Sequence, residues 1–153
     1  MKRISKDDYY MALAIATSQR STCLDKQVGC VLVSKTGIVL ATGYNGAPRG
    51  FEHCSDLGYC KKNVTGNPND CPSAHAEQNA LLYAHPDQVH ICYVNLSPCI
   101  SCIRMLLNTA CQEIVFLQEH RHPEARNMWC ELHKAATWRQ MFRRDYVSQL
   151  RYM

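Results

Sequence analysis

Ten cysteines in a chain of 153 residues constrain this sequence more than any other feature. They are Cys23, Cys30, Cys54, Cys60, Cys71, Cys92, Cys99, Cys102, Cys111 and Cys130. Their meaning depends on compartment. The start, Met1-Lys2-Arg3-Ile4-Ser5-Lys6-Asp7-Asp8, lacks the apolar stretch of a secretory leader. The longest apolar runs, such as 28–33, fall far short of the roughly 20 residues of a membrane span. A cytoplasmic protein is expected. In a reducing compartment, a cysteine content of about 6.5% indicates metal binding or catalysis. A disulfide framework usually needs about 8–10%.

The chain is long enough to close a hydrophobic core without staples, and its length is that of one domain, 1–153. Hydrophobic residues at 46% and charged residues at 20% argue against disorder and coiled coil. The formal charge of +4 suits an anionic small molecule and is weak for a nucleic-acid binder, so no nucleic-acid or membrane partner is expected. Basic residues concentrate late, at Lys134, Arg139, Arg143, Arg144 and Arg151, and read as a solvated helix face.

Periodicity places a helix over about 7–20, capped by Ser5, with Tyr9, Ala12, Leu13 and Ala16 on one face. Strands over 28–33 and 38–42 flank Lys35-Thr36-Gly37 and form a hairpin. Residues 43–72 read as a long loop, which in a small domain is normally functional or stapled. A helix over 74–84, a strand over 91–94, a helix capped by Ser97 with Pro98 in its first turn, and a strand over 114–117 follow. The segment 123–153 reads as helical. Helices that alternate with nearly all-apolar strands predict a three-layer α/β/α fold, with a mixed sheet of about five strands and the later strands parallel.

Two short motifs carry the chemistry. His75-Ala76-Glu77 opens one helix, and Pro98-Cys99-Ile100-Ser101-Cys102 opens the next. Cys99 and Cys102 are three apart and share one face of a first turn. The positive end of a helix favours their thiolate forms. One histidine and two thiolates make a three-ligand zinc set that leaves a fourth position for water, which is a catalytic arrangement. Zinc lowers the pKa of water toward about 7, and Glu77 beside it can carry protons. On an ideal helix, however, Glu77 lies about 200° round from His75, so their convergence is not given by spacing. His-x-Glu with Pro-Cys-x-x-Cys is the signature of zinc nucleobase deaminases.

The chain resembles the deoxycytidylate (dCMP) deaminases of phages, bacteria and eukaryotes. The resemblance rests on Arg20-Ser21-Thr22-Cys23 and Gly43-Tyr44-Asn45-Gly46-Ala47-Pro48-Arg49-Gly50, then on His53-Cys54. His75-Ala76-Glu77-Gln78-Asn79-Ala80-Leu81 and Ser97-Pro98-Cys99 complete it, over about 5–117. It implies a cytidine-deaminase-like fold and hydrolysis of dCMP to dUMP and ammonia, supplying dUMP for thymidylate synthesis. Glu77 would be the proton carrier, and the backbone N–H of Ala76 and carbonyl of Ser97 would hold the base edge. Asn45 would bond sugar or base. The 5′-phosphate needs a cation, for which Arg49, His120, Arg121 and His122 are candidates. The resemblance further implies a homohexamer activated by dCTP with Mg²⁺ and inhibited by dTTP. Tyr44, Asn45, Gly46 and Arg49 would belong to that regulatory site, with glycines that let the ligand come close.

Phage and bacterial members often carry a second, structural zinc, and Cys23, Cys54, Cys60 and Cys71 supply a full ligand set for it. His53 is an alternative ligand. Zinc there would offset the closure entropy of the long loop. Cys30 and Cys92 fall within apolar strands and read as core residues. Cys111 and Cys130 have no evident partner, and His85, His90 and His133 read as surface or capping histidines. A tRNA adenosine deaminase and a cytidine deaminase share the zinc motif and are the alternative enzymes. A non-catalytic zinc module that binds nucleic acid would leave Glu77 without purpose.

Overall fold

The computed structural model describes residues 3–142. A five-stranded mixed sheet runs through it in the order β2-β1-β3-β4-β5. β1 (Gly29–Val33) and β2 (Val39–Tyr44) form the expected hairpin. β1 also pairs antiparallel with β3 (Ile91–Leu96). β3, β4 (Glu113–Gln118) and β5 (Trp138–Gln140) are parallel. β5 is a departure: the segment after residue 136 was expected to be helical. Trp138 joins the core against Phe116, with ring centroids 5.2 Å apart, and an apolar anchor there favours an edge strand. The remainder of the helical expectation, 143–153, lies outside the described residues.

Strand side chains alternate, so each strand feeds both faces. Cys30, Leu32, Cys92, Val94, Ile114 and Phe116 point to one face, and Val31, Val33, Tyr93 and Val115 to the other. Helix α1 (Lys6–Ser18) covers the second face, and Ser5 caps it by accepting the Asp8 amide at 3.0 Å. Its buried stripe is Tyr10, Met11, Ala14 and Ser18, one residue round from the stripe expected; Tyr9 is 46% exposed. Tyr10 wins that place because its ring lies 5.1 Å from Tyr93 and its hydroxyl donates to the Gly37 carbonyl.

The first face is covered by α4 (Ala76–Leu81), α5 (Ile100–Leu107) and α6 (Glu124–Leu132), which bury Ala76, Ala80, Ile103, Leu106 and Trp129. The three layers are those expected. Cys30 and Cys92 are fully buried here, their sulfurs 3.6 Å apart. The long excursion after β2 is not all loop: it holds α2 (Cys54–Leu57) and α3 (Lys61–Thr65), each ended by a left-handed glycine. Arg139 is not a solvated basic residue either. Its guanidinium pairs with Asp7 at 2.6 Å and Glu113 at 2.7 Å, tying β5 to α1 and β4.

Candidate active site

β3 ends at Leu96, and the chain passes through Ser97-Pro98 into α5. The carboxyl end of a strand beside the point where a sheet changes direction is where α/β folds place ligands. Cys99 is the N-cap of α5, in extended conformation, and Cys102 stands one turn on. The expected cap, Ser97, does other work: its hydroxyl accepts the His120 amide at 2.6 Å and fixes the loop after β4.

The other half of the site comes from α4. A backbone bridge between Gly46 and Ala74, at 2.9 and 3.1 Å, delivers the chain to His75. His75 is the N-cap of α4, with φ −78° and ψ 157°, and its amide donates to Gln78 Oε1 at 2.8 Å. Because His75 is extended and not helical, the ideal-helix angle to Glu77 does not apply. Both side chains turn into one cleft.

His75 Nδ1 lies 3.3 Å from Cys99 Sγ and 3.5 Å from Cys102 Sγ. All three ligand atoms lie within 4.8 Å of one another. These separations match the edge of a zinc tetrahedron, about 3.5 Å for bonds of about 2.0–2.3 Å. One imidazole and two thiols at that spacing fit zinc. The hydrogen bond from Cys102 and the nearby His75 pull the Cys99 thiol down to about 3. The hydrogen bond to Cys99 raises the His75 imidazole, and Cys102, which donates to Cys99, is raised. Glu77 is 4% exposed, and this burial pushes its carboxyl up to about 7.

The cleft has a volume of about 280 Å³. Asn45, Ala76, Glu77, Ser97 and His120 line it. Asn45 has much of its capacity committed. Its Oδ1 accepts from the Val28 amide and the Ser21 hydroxyl, and its Nδ2 donates to the Lys26 carbonyl. Arg121 and His122 are not among the lining residues, and Arg49 is exposed and donates to the Tyr83 hydroxyl at 2.9 Å. Three lining residues that sequence reasoning missed are Asp25, Lys26 and Lys62. The signal was topological: β1 runs antiparallel to β3, so the residues before β1 reach the edge where β3 ends.

Two glycines of the 43–50 loop sit where the chain packs closely against itself. A Cβ on Gly43 would meet the Ala76 carbonyl oxygen at 2.3 Å, and one on Gly46 would meet Thr22 Oγ1 at 2.4 Å. They admit other parts of the chain. Tyr44 is exposed, and its carbonyl accepts from Asn79 Nδ2. In the long excursion burial raises the Cys54 and Cys71 thiols, and the neighbouring Cys60 adds to both. Cys23 also acts on Cys54, and the buried His53 Nδ1 has no hydrogen-bond partner.

Residues 4–118 match the family model for the cytidine and deoxycytidylate deaminase zinc-binding region. The chain belongs to this family. Among curated members, the deoxycytidylate deaminase of Saccharomyces cerevisiae is 37% identical over 129 residues, covering 81% of the chain and 41% of the yeast protein. The chain thus spans about two fifths of that relative's length. The deoxycytidylate deaminase of Mycobacterium phage D29 is 34% identical over 131 residues, covering 78% of the chain and 99% of the phage protein. Among solved structures, the dCMP deaminase of cyanophage S-TIM5 in complex with dCMP and dUMP is 28% identical with a TM-score of 0.70. That match covers 86% of this chain and 95% of the phage chain. Family membership accounts for the paired placement of His75-Ala76-Glu77 and Cys99/Cys102 at two neighbouring helix starts. Among the described residues no helix is long and apolar enough to cross a membrane.

Proposed function

We propose that the chain hydrolyses the 4-amino group of dCMP, giving dUMP and ammonia and so supplying dUMP for thymidylate synthesis. The observation that carries this reading is the buried Glu77 carboxyl in one cleft with the His75, Cys99 and Cys102 set. The likeness to a cyanophage enzyme whose structure holds dCMP and dUMP supports the choice of substrate.

Zinc held by His75, Cys99 and Cys102 would supply acidity to a bound water. The chain's own residues do the rest. Ala76, through its amide, and Ser97, through its carbonyl, orient the base edge in the cleft. Glu77 takes a proton from the attacking water and delivers it to N3. The C4–O bond forms in that step; Glu77 then takes the remaining proton from the C4 hydroxyl and hands it to the amine as the C4–N bond breaks, leaving the C4 carbonyl and ammonia. A buried carboxyl with a pKa near neutrality can both accept and return a proton at little cost.

Glu77→Gln should lower turnover of dCMP by at least about a thousandfold while zinc content stays at the wild-type level. Near-wild-type turnover in that variant would remove the mechanism. Assay of dUMP and ammonia together with metal analysis makes the test.

We also propose a second, structural zinc held by Cys23, Cys54, Cys60 and Cys71. The effect of Cys60 on both the Cys54 and Cys71 thiols, that of Cys23 on Cys54, and the unpartnered His53 Nδ1 support a metal there, although among the described residues only His75, Cys99 and Cys102 bring their ligand atoms within 4.8 Å of one another. Two zinc ions per chain are expected by metal analysis, falling to one in Cys54→Ser, with a melting temperature lower by about 4–8 °C. One zinc in the wild type would sink this assignment. Regulation by dCTP with Mg²⁺ and by dTTP, a homohexamer and a cytoplasmic setting complete the reading. They rest on the family resemblance, and the setting also on ten free cysteines.

A further inference from the structure

A nucleotide substrate brings a dianionic phosphate, and the cleft must answer it with positive charge. The basic side chains that line the cleft are Lys26, Lys62, His75 and His120. His75 belongs to the metal set. Lys62 is already neutralised, its ammonium 2.7 Å from the Asp25 carboxylate. That pair also removes the repulsion a bare Asp25 would offer to a phosphate. Burial and then the Lys26 ammonium hold His120 below its ordinary range, which disfavours its charged form. Among the described residues Lys26 has no carboxylate partner, and its side chain is exposed to the solvent at the cleft's outer wall.

The segment that carries Lys26 is unusually well fixed for a stretch outside any element. Asn45 Nδ2 donates to the Lys26 carbonyl at 2.8 Å, and Asn45 Oδ1 accepts from the Val28 amide at 2.9 Å. Asn95 Nδ2 donates to the Gln27 carbonyl at 2.9 Å, and Asn95 Oδ1 accepts from the Gly29 amide at 2.9 Å. Two asparagines thus hold four consecutive residues through their backbone. One of the two, Asn45, itself lines the cleft. Such bracing sets the origin of the Lys26 side chain before any ligand arrives, which lowers the ordering cost of binding.

We infer that Lys26 is the cation that binds the 5′-phosphate of the substrate, with Asn45 and Asn95 as its positioning residues. This rests on the dCMP reading above. Lysine acts here as a point charge on a flexible stem, suited to a phosphate that enters from solvent.

The test is steady-state kinetics on the zinc-loaded enzyme, with inhibition by dUMP and by deoxyuridine measured in parallel. Lys26→Ala should raise KM for dCMP by about ten- to a hundredfold while kcat stays within about threefold. Its dUMP inhibition should weaken by the same factor, and its deoxyuridine inhibition should not change, because the nucleoside has no phosphate. Lys26→Arg should recover most of the loss, and Lys26→Gln should not. A KM within about threefold of wild type in Lys26→Ala would overturn the inference while leaving the dCMP reading in place. Equal weakening for dUMP and deoxyuridine would also overturn it. A wild-type enzyme that releases no dUMP from dCMP would remove the reading and the inference with it.

Discussion

Gly29 and Gly43 sit on neighbouring strands one register step apart, and each admits a helix, but on opposite faces of the sheet. A Cβ on Gly29 would meet the Ala14 carbonyl oxygen of α1 at 2.0 Å; one on Gly43 would meet the Ala76 carbonyl oxygen of α4 at 2.3 Å. The mechanical device is the same on both sides. The cores beneath differ. Under α1 lie Tyr10, Met11, Val31, Val33, Tyr93 and Val115, with no thiol or carboxyl among the buried residues. Under α4 and α5 lie Cys30, Cys92, Cys102 and Cys111, and the first three of these feel the Glu77 carboxyl. One face is scaffold. The other keeps weakly polar sulfur around a buried carboxyl, which a purely hydrocarbon lining would make still harder to ionise.

That contrast gives a direct way to break it. Both Gly29→Ala and Gly43→Ala should destabilise the fold by about 3 kcal/mol, because backbone and not a flexible side chain is in the way. Only Gly43→Ala should move α4, and with it His75 and Glu77. At a temperature where both variants are folded, Gly43→Ala should lose zinc affinity and turnover, and Gly29→Ala should keep both. Urea unfolding, metal analysis and dUMP release separate the two. Equal loss of turnover would mean that the sheet transmits strain across its faces and that the division drawn here is false.

Much of this division was legible in the sequence because the patterns are local. Near-continuous apolar runs in 28–33 and 91–94 announced strands, and His-x-Glu with Cys-x-x-Cys announced the ligands. What was not legible came from contacts between distant segments. Tyr10 displaced Tyr9 from the core because Tyr93 and the Gly37 carbonyl offer it partners. β5 formed where a helix was expected because Arg139 finds Asp7 and Glu113. Lys26 escaped notice because its link to the cleft is not local: it reaches the cleft through the antiparallel pairing of β1 with β3. Ser97 looked like a helix cap by local rule, yet its hydroxyl serves the loop after β4. The family resemblance supplied the reaction, but not the reason for the glycines at 43 and 46, which is close packing within the chain.

The scaffold face carries a charged network, and it offers the smallest and sharpest test. Asp7 on α1 accepts from Arg139 at 2.6 and 3.1 Å and from the Tyr93 hydroxyl at 2.7 Å, while Glu113 shares the same guanidinium. These partners, Arg139 first, hold the Asp7 carboxyl below its ordinary value of 3.8. A carboxyl depressed in the folded state stabilises the fold above its unfolded pKa, and that contribution fades as pH falls through the folded value. The pair is about one third exposed, so solvent screening leaves roughly 1 kcal/mol of the gross attraction. Asp7→Asn should therefore lower the melting temperature by about 2–4 °C at pH 7. The gap to wild type should hold down to about pH 4 and close below it, where wild-type Asp7 also loses its charge. dCMP turnover should be unaffected, because α1 covers the face away from Glu77. A gap that persisted unchanged to pH 3 would show that Asp7 acts by shape and hydrogen bonding alone. A fall in turnover without a fall in stability would place this network in communication with the active face.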